Sequence, residues 1–284
     1  MARALILRAI GAGALGGLVA FLFARVFAEP LIQAAIDYES ARDEAKDALA
    51  TAAGQAPEAA DPEIFSRAIQ GNLGIGAGMI LFGVALGCLF GVAFCLAYGR
   101  VGSVTTRQLS LRVAGAGFLA MYLVPFLKYP ANPPSIGNAD TIGPRAGLYL
   151  VMVVASVVFG LGALWLGRRI APRVGTGAAT ALAVVAFIVV IGVVMALLPQ
   201  LGSLAANAGA SGVSLTETPQ PLLDPAGHIV FPGFDADLLF RFRLYSVGAQ
   251  VLLWGVMGIV FSLLAERVVD RASPGEREEF AAAV

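Results

Sequence analysis

Charge is the scarcest feature of this sequence. Charged residues make up 13% of the 284, against about 25% in an ordinary soluble domain. Lys46 and Lys128 are the only lysines, and His228 is the only histidine. One imidazole cannot form a His-Glu-x-x-His zinc motif or a histidine cluster. Cys88 and Cys95 are the only cysteines and share one apolar run. Seven residues apart on a helix, they lie roughly 10 Å apart along the axis, beyond disulfide reach. They read as small packing residues. The 19 basic residues are balanced by 19 acidic ones, so no basic excess points to nucleic acid. No Gly-x4-Gly-Lys-Ser/Thr occurs, which excludes ATP binding through a P-loop. Gly209-Ala-Ser-Gly212 is the nearest approach to a nucleophile motif. It lies in a polar stretch, with His228 in the same stretch rather than on a facing helix, so a sheltered dyad is not expected. The sequence does not read as an enzyme.

Apolar length is what it has. Hydrophobic residues make up 58%, mean hydropathy is +0.81, and there are 34 glycines. Gly is more frequent in membrane helices than in soluble ones. A membrane-crossing helix needs about 20 mainly apolar residues. Six runs qualify, at about 10–28, 73–98, 109–127, 146–166, 177–198 and 244–265, each closed by charge, Pro or Gly. They are too long and too unalternating for barrel strands. The expected fold is therefore all-α, a single polytopic membrane domain with about six spans. The first run, with Arg3 and Arg8 ahead of it, has the outline of a signal peptide. Its length and Arg25 near its end favour a retained span.

Basic residues orient the spans. With the N-terminus on one side, that side receives Arg3, Arg8, Arg100, Arg107, Arg112, Arg168, Arg169, Arg173, Arg267, Arg271 and Arg277. The other receives Arg42, Lys46, Arg67, Lys128, Arg145, Arg241 and Arg243, in longer loops at 29–72, 128–145 and 199–243. Both termini are expected inside. Fourteen of the 19 acidic residues fall on the outer side, nine of them within Glu29–Glu63. An acidic outer face attracts cations.

The outer segments differ in kind. Pro30–Ala50 reads as an interfacial or solvated helix, and Ala52–Ala60 as a small, broken linker. Asp61-Pro62 is a good helix start. Pro199–Asp237 is rich in Gly, Pro and Ser and has little regular period. Small-residue spacings such as Gly13-x3-Gly17 and Gly83-x3-Gly87-x3-Gly91 predict close helix contacts.

The most distinctive constellation is Pro125-Phe-Leu-Lys-Tyr-Pro-Ala-Asn-Pro-Pro134, followed by Asn138, Asp140 and Arg145. Pro125 can bend its helix and free a carbonyl. Pro130, Pro133 and Pro134 forbid helix, so Lys128, Tyr129, Asn132 and Asp140 sit on a stiffened loop. Two readings stand side by side. One is a gate or cation entrance formed by Lys128, Tyr129, Pro130, Asn132 and Asp140. The other is an ordinary turn with an interfacial tyrosine and a snorkelling lysine. Arg25 and Glu29 are four apart and can pair locally. Asp235, Asp237 and Arg241, with Arg243, form a charge cluster before the last span that could join them.

FLKYPANPP, TIGPRAGLYL, FDADLLFRFRLYSVGAQVLLW, FSRAIQ, LFGVALGCLFGVAF and the early AFLFARVFAEPLI together resemble the CbtA family of predicted cobalt-transporter membrane subunits. The likeness runs from about Leu5 to Glu266. FLKYPANPP is its most specific part. The resemblance implies cobalt uptake across a bacterial inner membrane without an ATPase in this chain. It also implies a partner, a small CbtB-type subunit with one span and a histidine-bearing tail. Co²⁺ would be the transported ion, with no tightly bound cofactor.

Co²⁺ accepts imidazole, carboxylate, carbonyl and thioether ligands. Within this chain the metal candidates are Asp140, His228 and Met121, and each also has a plain reading. His228 can be an exposed loop histidine and Met121 a packing residue. Glu39, Asp43 and Asp47 form an acidic stripe at i, i+4, i+8, which a solvated helix face also explains. The function expected is a membrane subunit of a cobalt uptake system. The alternatives are a non-transporting scaffold that docks a small partner, or a permease for another small solute.

Overall fold

The computed structural model describes residues 1–56, 65–207, 216–273, 275, 276, 279 and 282. The expected helix start at Asp61-Pro62 and the Gly209–Gly212 motif lie outside them.

Seven long helices account for most of the chain. α1 spans Ala2–Phe27 and α2 Glu29–Ala52. Only Ala28 separates them, and its helical φ and N–H bond to the Ala24 carbonyl leave little break. Pro30 fits the first turn of α2, where its missing N–H would be unpaired anyway. α3 runs over Arg67–Ala97 with a π turn at Gln70–Gly74, and α4 over Thr106–Lys128 with a π turn at Leu119–Leu123. A 3₁₀ turn at Ala139–Thr141 leads into α5, Ile142–Val174. Gly175, with φ 81°, reverses the chain into α6, Thr176–Leu197. α7 spans Ala236–Arg271.

All but α2 are long and apolar enough to cross a membrane, which matches the six runs of the sequence. The helices overrun those runs. α1 begins at Ala2 rather than near residue 10, and α7 at Ala236 rather than near 244. Backbone hydrogen bonding continues past the apolar stretch wherever a cap permits. At α7 the cap is Asp235, whose Oδ1 accepts from the N–H of Asp237 at 2.7 Å and of Leu238 at 3.0 Å. The loop expected over 199–243 is shortened by the turns this cap starts. It also holds a two-stranded antiparallel hairpin, β1 (Leu222–Leu223) and β2 (Ile229–Phe231), which the irregular sequence there does not foretell.

The chain divides into two compact units. The first comprises Met1–Gln33, Glu58–Phe118 and Phe240–Val284. Its core is α1 against α3, with glycine facing backbone. A Cβ on Gly13 would strike the Gly83 carbonyl oxygen, and one on Gly87 that of Ala9. With water absent there is no hydrophobic drive between helices in lipid, so such close backbone packing supplies the attraction. α7 joins through Gly16, whose Cβ would meet the Leu253 carbonyl. Phe261 packs edge-on to Phe90 and Phe94 at 5.0 and 4.9 Å, a favoured aromatic geometry.

The second unit comprises Ala34–Pro57 and Leu119–Leu239. α5 and α6 form a helical hairpin. Val124, Tyr129, Met152 and Ile191 build its main core. A smaller cluster joins Ala35 of α2 to Ile136 and Phe234. Tyr38 packs tilted against Phe231 and edge-on against Phe234 there, and its hydroxyl donates to the Pro232 carbonyl at 2.9 Å.

Candidate functional site

The proline-rich segment after α4 is built from its helix end outward. Pro125 has no N–H, so the Met121 carbonyl loses its ordinary partner four residues on. The π turn at Leu119–Leu123 falls at this place. The Tyr149 hydroxyl from α5 meets the exposed carbonyls, 3.4 Å from Met121 and 3.5 Å from Tyr122. Met121 thus contributes its backbone oxygen to a hydrogen bond. Tyr129 is buried, and its hydroxyl donates to the Pro199 carbonyl at 2.9 Å. That bond ties the end of α4 to the segment after α6. Lys128 Nζ lies 5.6 Å from the Tyr129 ring centre, within cation–π range.

Beyond Tyr129 the chain lines a pocket of about 400 Å³, with Tyr122, Tyr149, Pro130, Asn132, Arg145 and Leu201 among its walls. Ser135 adopts a left-handed φ of 72°, uncommon without glycine. The Ser135 side chain is hydrogen-bonded to Glu39 of α2. Burial raises the Glu39 carboxyl above its ordinary range, and Asp43 adds to the rise, while Ser135 and Lys46 oppose it. The acidic stripe is thus divided. Glu39 faces the proline loop, whereas Asp43 pairs with Lys46 at 2.6 Å on the exposed side.

Asn138 organises the far end of the loop. Its Oδ1 accepts from the Asp140 N–H at 2.9 Å and so caps the 3₁₀ turn. Its Nδ2 donates to the Ala206 carbonyl at 3.1 Å and to Asn207 Oδ1 at 3.0 Å. Asn207 Nδ2 donates in turn to Glu217 Oε1 at 2.9 Å and to the Leu201 carbonyl at 2.8 Å. Glu217, whose side chain has no exposed surface, faces Arg145 across 3.3 Å. Asp140 itself is exposed and joins this network through its backbone N–H on Asn138. Glu217 and Asn207 carry no signal in the sequence. They sit in a polar, aperiodic stretch and are brought to Arg145 only by the fold.

Other sequence candidates fall elsewhere. Glu29 pairs with Arg67 rather than with Arg25. Arg67 also donates to Gln33 at 3.2 Å, and Arg25 Nε donates to Asn72 Oδ1 at 2.8 Å. The i,i+4 pair is replaced because the π turn at Gln70–Gly74 presents Asn72, and Arg67 one turn earlier, to the end of α1 and the start of α2. Asp235 is spent on the α7 cap, and Asp237 and Arg241 are exposed. His228 sits at the β-hairpin turn, its side chain 80% exposed, with Nδ1 3.1 Å from Asp224 Oδ2. The backbone N–H of His228 is the chief cause that holds the Asp224 carboxyl below its usual range, aided by the imidazole and the N–H groups of Ala226 and Gly227. Among the described residues, no three His, Cys, Asp or Glu side chains converge as a metal cluster.

Six apolar helices, glycine-mediated helix contacts and polar loops define a multi-pass α-helical membrane protein. A family model described as probable cobalt transporter subunit (CbtA) matches residues 2–266. The chain belongs to the CbtA family. No curated protein and no solved structure matches it.

Proposed function

We propose that this chain is the membrane-embedded subunit of a cobalt uptake system in a bacterial inner membrane, with both termini inside. The observation that carries the proposal is the family match across residues 2–266, which takes in five of the six described membrane-crossing helices whole, most of the last, and the proline-rich site. In this reading divalent cations gather at the acidic outer segments and enter near Lys128–Asp140. The pocket between Tyr122, Tyr149 and Arg145 supports an entrance there, because it is walled by Tyr149, whose hydroxyl meets the Met121 carbonyl that Pro125 has released. Imidazole ligands come from a small histidine-bearing membrane partner, since this chain has one histidine and it faces solvent. No ATP is consumed by this chain, which acts by binding and passage rather than by catalysis.

The test is Co²⁺ accumulation in cells expressing this chain with and without such a partner, with Ni²⁺ and Mg²⁺ as competitors. Uptake that needs both chains and resists Mg²⁺ is expected. Accumulation equal to that of empty cells in every combination would leave the scaffold or another solute instead.

A further inference from the structure

Glu217 is built differently from a carboxylate that only holds the fold together. Its side chain is fully buried, and a buried carboxylate is costly unless its charge and lone pairs are met. Its two oxygens are met unequally. Oε1 accepts from Asn207 Nδ2 at 2.9 Å. Oε2 is buried, accepts no hydrogen bond among the described residues, and has Arg145 Nη1 as its ion-pair partner at 3.3 Å. Strong arginine–carboxylate pairs are bidentate and about 2.7–2.9 Å long, so this one is loose. The two partners also differ in freedom. Asn207 is held by Leu201 and Asn138 and in turn holds Glu217. Arg145 is 28% exposed and lines the pocket, which leaves its guanidinium room to withdraw. Gly137, at φ 135°, keeps that space clear. A Cβ there would sit 3.1 Å from Arg145 Nη1 and 3.4 Å from Glu217 Oε2.

We infer that the Arg145–Glu217 pair is an exchangeable cation site. An incoming divalent cation takes the place of Arg145 on Glu217 Oε2, and Arg145 withdraws into the pocket. The carboxylate keeps a counter-charge throughout, so no step leaves it bare in the interior. The cation class rests on the proposed function; the geometry itself asks for a positive ion and oxygen chemistry. One carboxylate completed by water binds divalent metals modestly and with little discrimination. Such a site suits an ion in transit, which must leave as readily as it enters.

The experiment is calorimetric titration of the purified full-length chain in detergent with Co²⁺, and with Mg²⁺ as a second probe. Wild type is compared with Arg145→Gln, Glu217→Gln, Glu217→Asp and the Arg145→Gln/Glu217→Gln double variant. Elution volume and unfolding transition report whether each is folded. Arg145→Gln removes the competing charge and should tighten Co²⁺ binding about tenfold or more, with ~1.4 kcal/mol for each factor of ten. Glu217→Gln in the same chain should erase that gain, and Glu217→Asp alone should retain binding. No gain in Arg145→Gln, or a gain that survives in the double variant, would overturn the site. If Arg145→Gln does not fold, wild type against Glu217→Gln decides, and equal binding in those two overturns it. Cellular uptake is read separately. Uptake with Glu217-independent binding removes this site and leaves the cobalt role. Glu217-dependent binding without uptake does the reverse.

Discussion

Asp140 and Asp224 are both loop carboxylates, but their surroundings assign them different work. Asp224 is occupied by its own turn, accepting from the N–H groups of Ala226 and His228. Asp140 is exposed beside the Asn138 cap, which uses only its backbone N–H and leaves its carboxylate unspent on the turn. Asp140→Asn is expected to reduce Co²⁺ uptake severalfold, while Asp224→Asn stays near wild type; equal, unimpaired uptake in both removes the entrance from this loop. His228→Ala should leave most of the uptake intact, because an 80% exposed imidazole paired to Asp224 is not held for a metal. Loss of uptake in that variant would put the primary site at the hairpin. Glu39 gives a pH signature. Its folded-state carboxyl titrates above the unfolded value, chiefly because it is partly buried. Its contribution is therefore complete below the unfolded value and is lost as pH rises through the folded one. Glu39→Gln, scanned by thermal unfolding from mildly acid to neutral pH, should be the more stable form at neutral pH and should show a flatter profile. An unchanged slope would mean that Glu39 does not govern the docking of α2 on the proline loop.

The helices carry a second set of consequences. The small-residue spacings of α1 and α3 are legible in the sequence as close contacts, but their mates are not. Gly13 faces Gly83 and Gly87 across the helix pair, whereas Gly11, two residues away, has open space around its would-be Cβ. Overpacking a tight contact typically costs about 1–3 kcal/mol. Gly13→Val should therefore lower the unfolding midpoint in detergent well below that of Gly11→Val. Similar midpoints would show that α1 and α3 are free to separate. In α4 the freed carbonyl before Pro125 is readable from proline chemistry alone. That Tyr149 would meet it is not, because the partner lies on the next helix and only the packing of α4 on α5 brings it there. The Arg25–Glu29 pair fails for a related reason. Helical spacing makes it possible, but the first turns of α3 offer both side chains other partners, Asn72 for Arg25 and Arg67 for Glu29.

For the molecule as a whole, the placement of arginines predicts which loops face out. With Cys88 and Cys95 replaced by alanine, a cysteine at Ala56 should react with an impermeant reagent from outside, and cysteines at Ser103 or Gly175 should not. Outside labelling at Ser103 would invert the topology.

The membrane class, the number of spans, the α2 helix and the proline-stiffened loop follow from the sequence by itself. Each depends on properties local in the chain: apolar run length, charge at the ends, and the fixed φ of proline. The division into two units, the mates of the glycines, the divorce of Glu29 from Arg25, and the joining of Asn138, Asn207 and Glu217 to Arg145 were decided only by tertiary structure. Arg145 and Glu217 are 72 residues apart, with no periodicity connecting them. Their meeting depends on how α4, α5 and α6 pack and on where the segments between them are pinned by Tyr129 and Asn138. No single stretch of sequence contains that information.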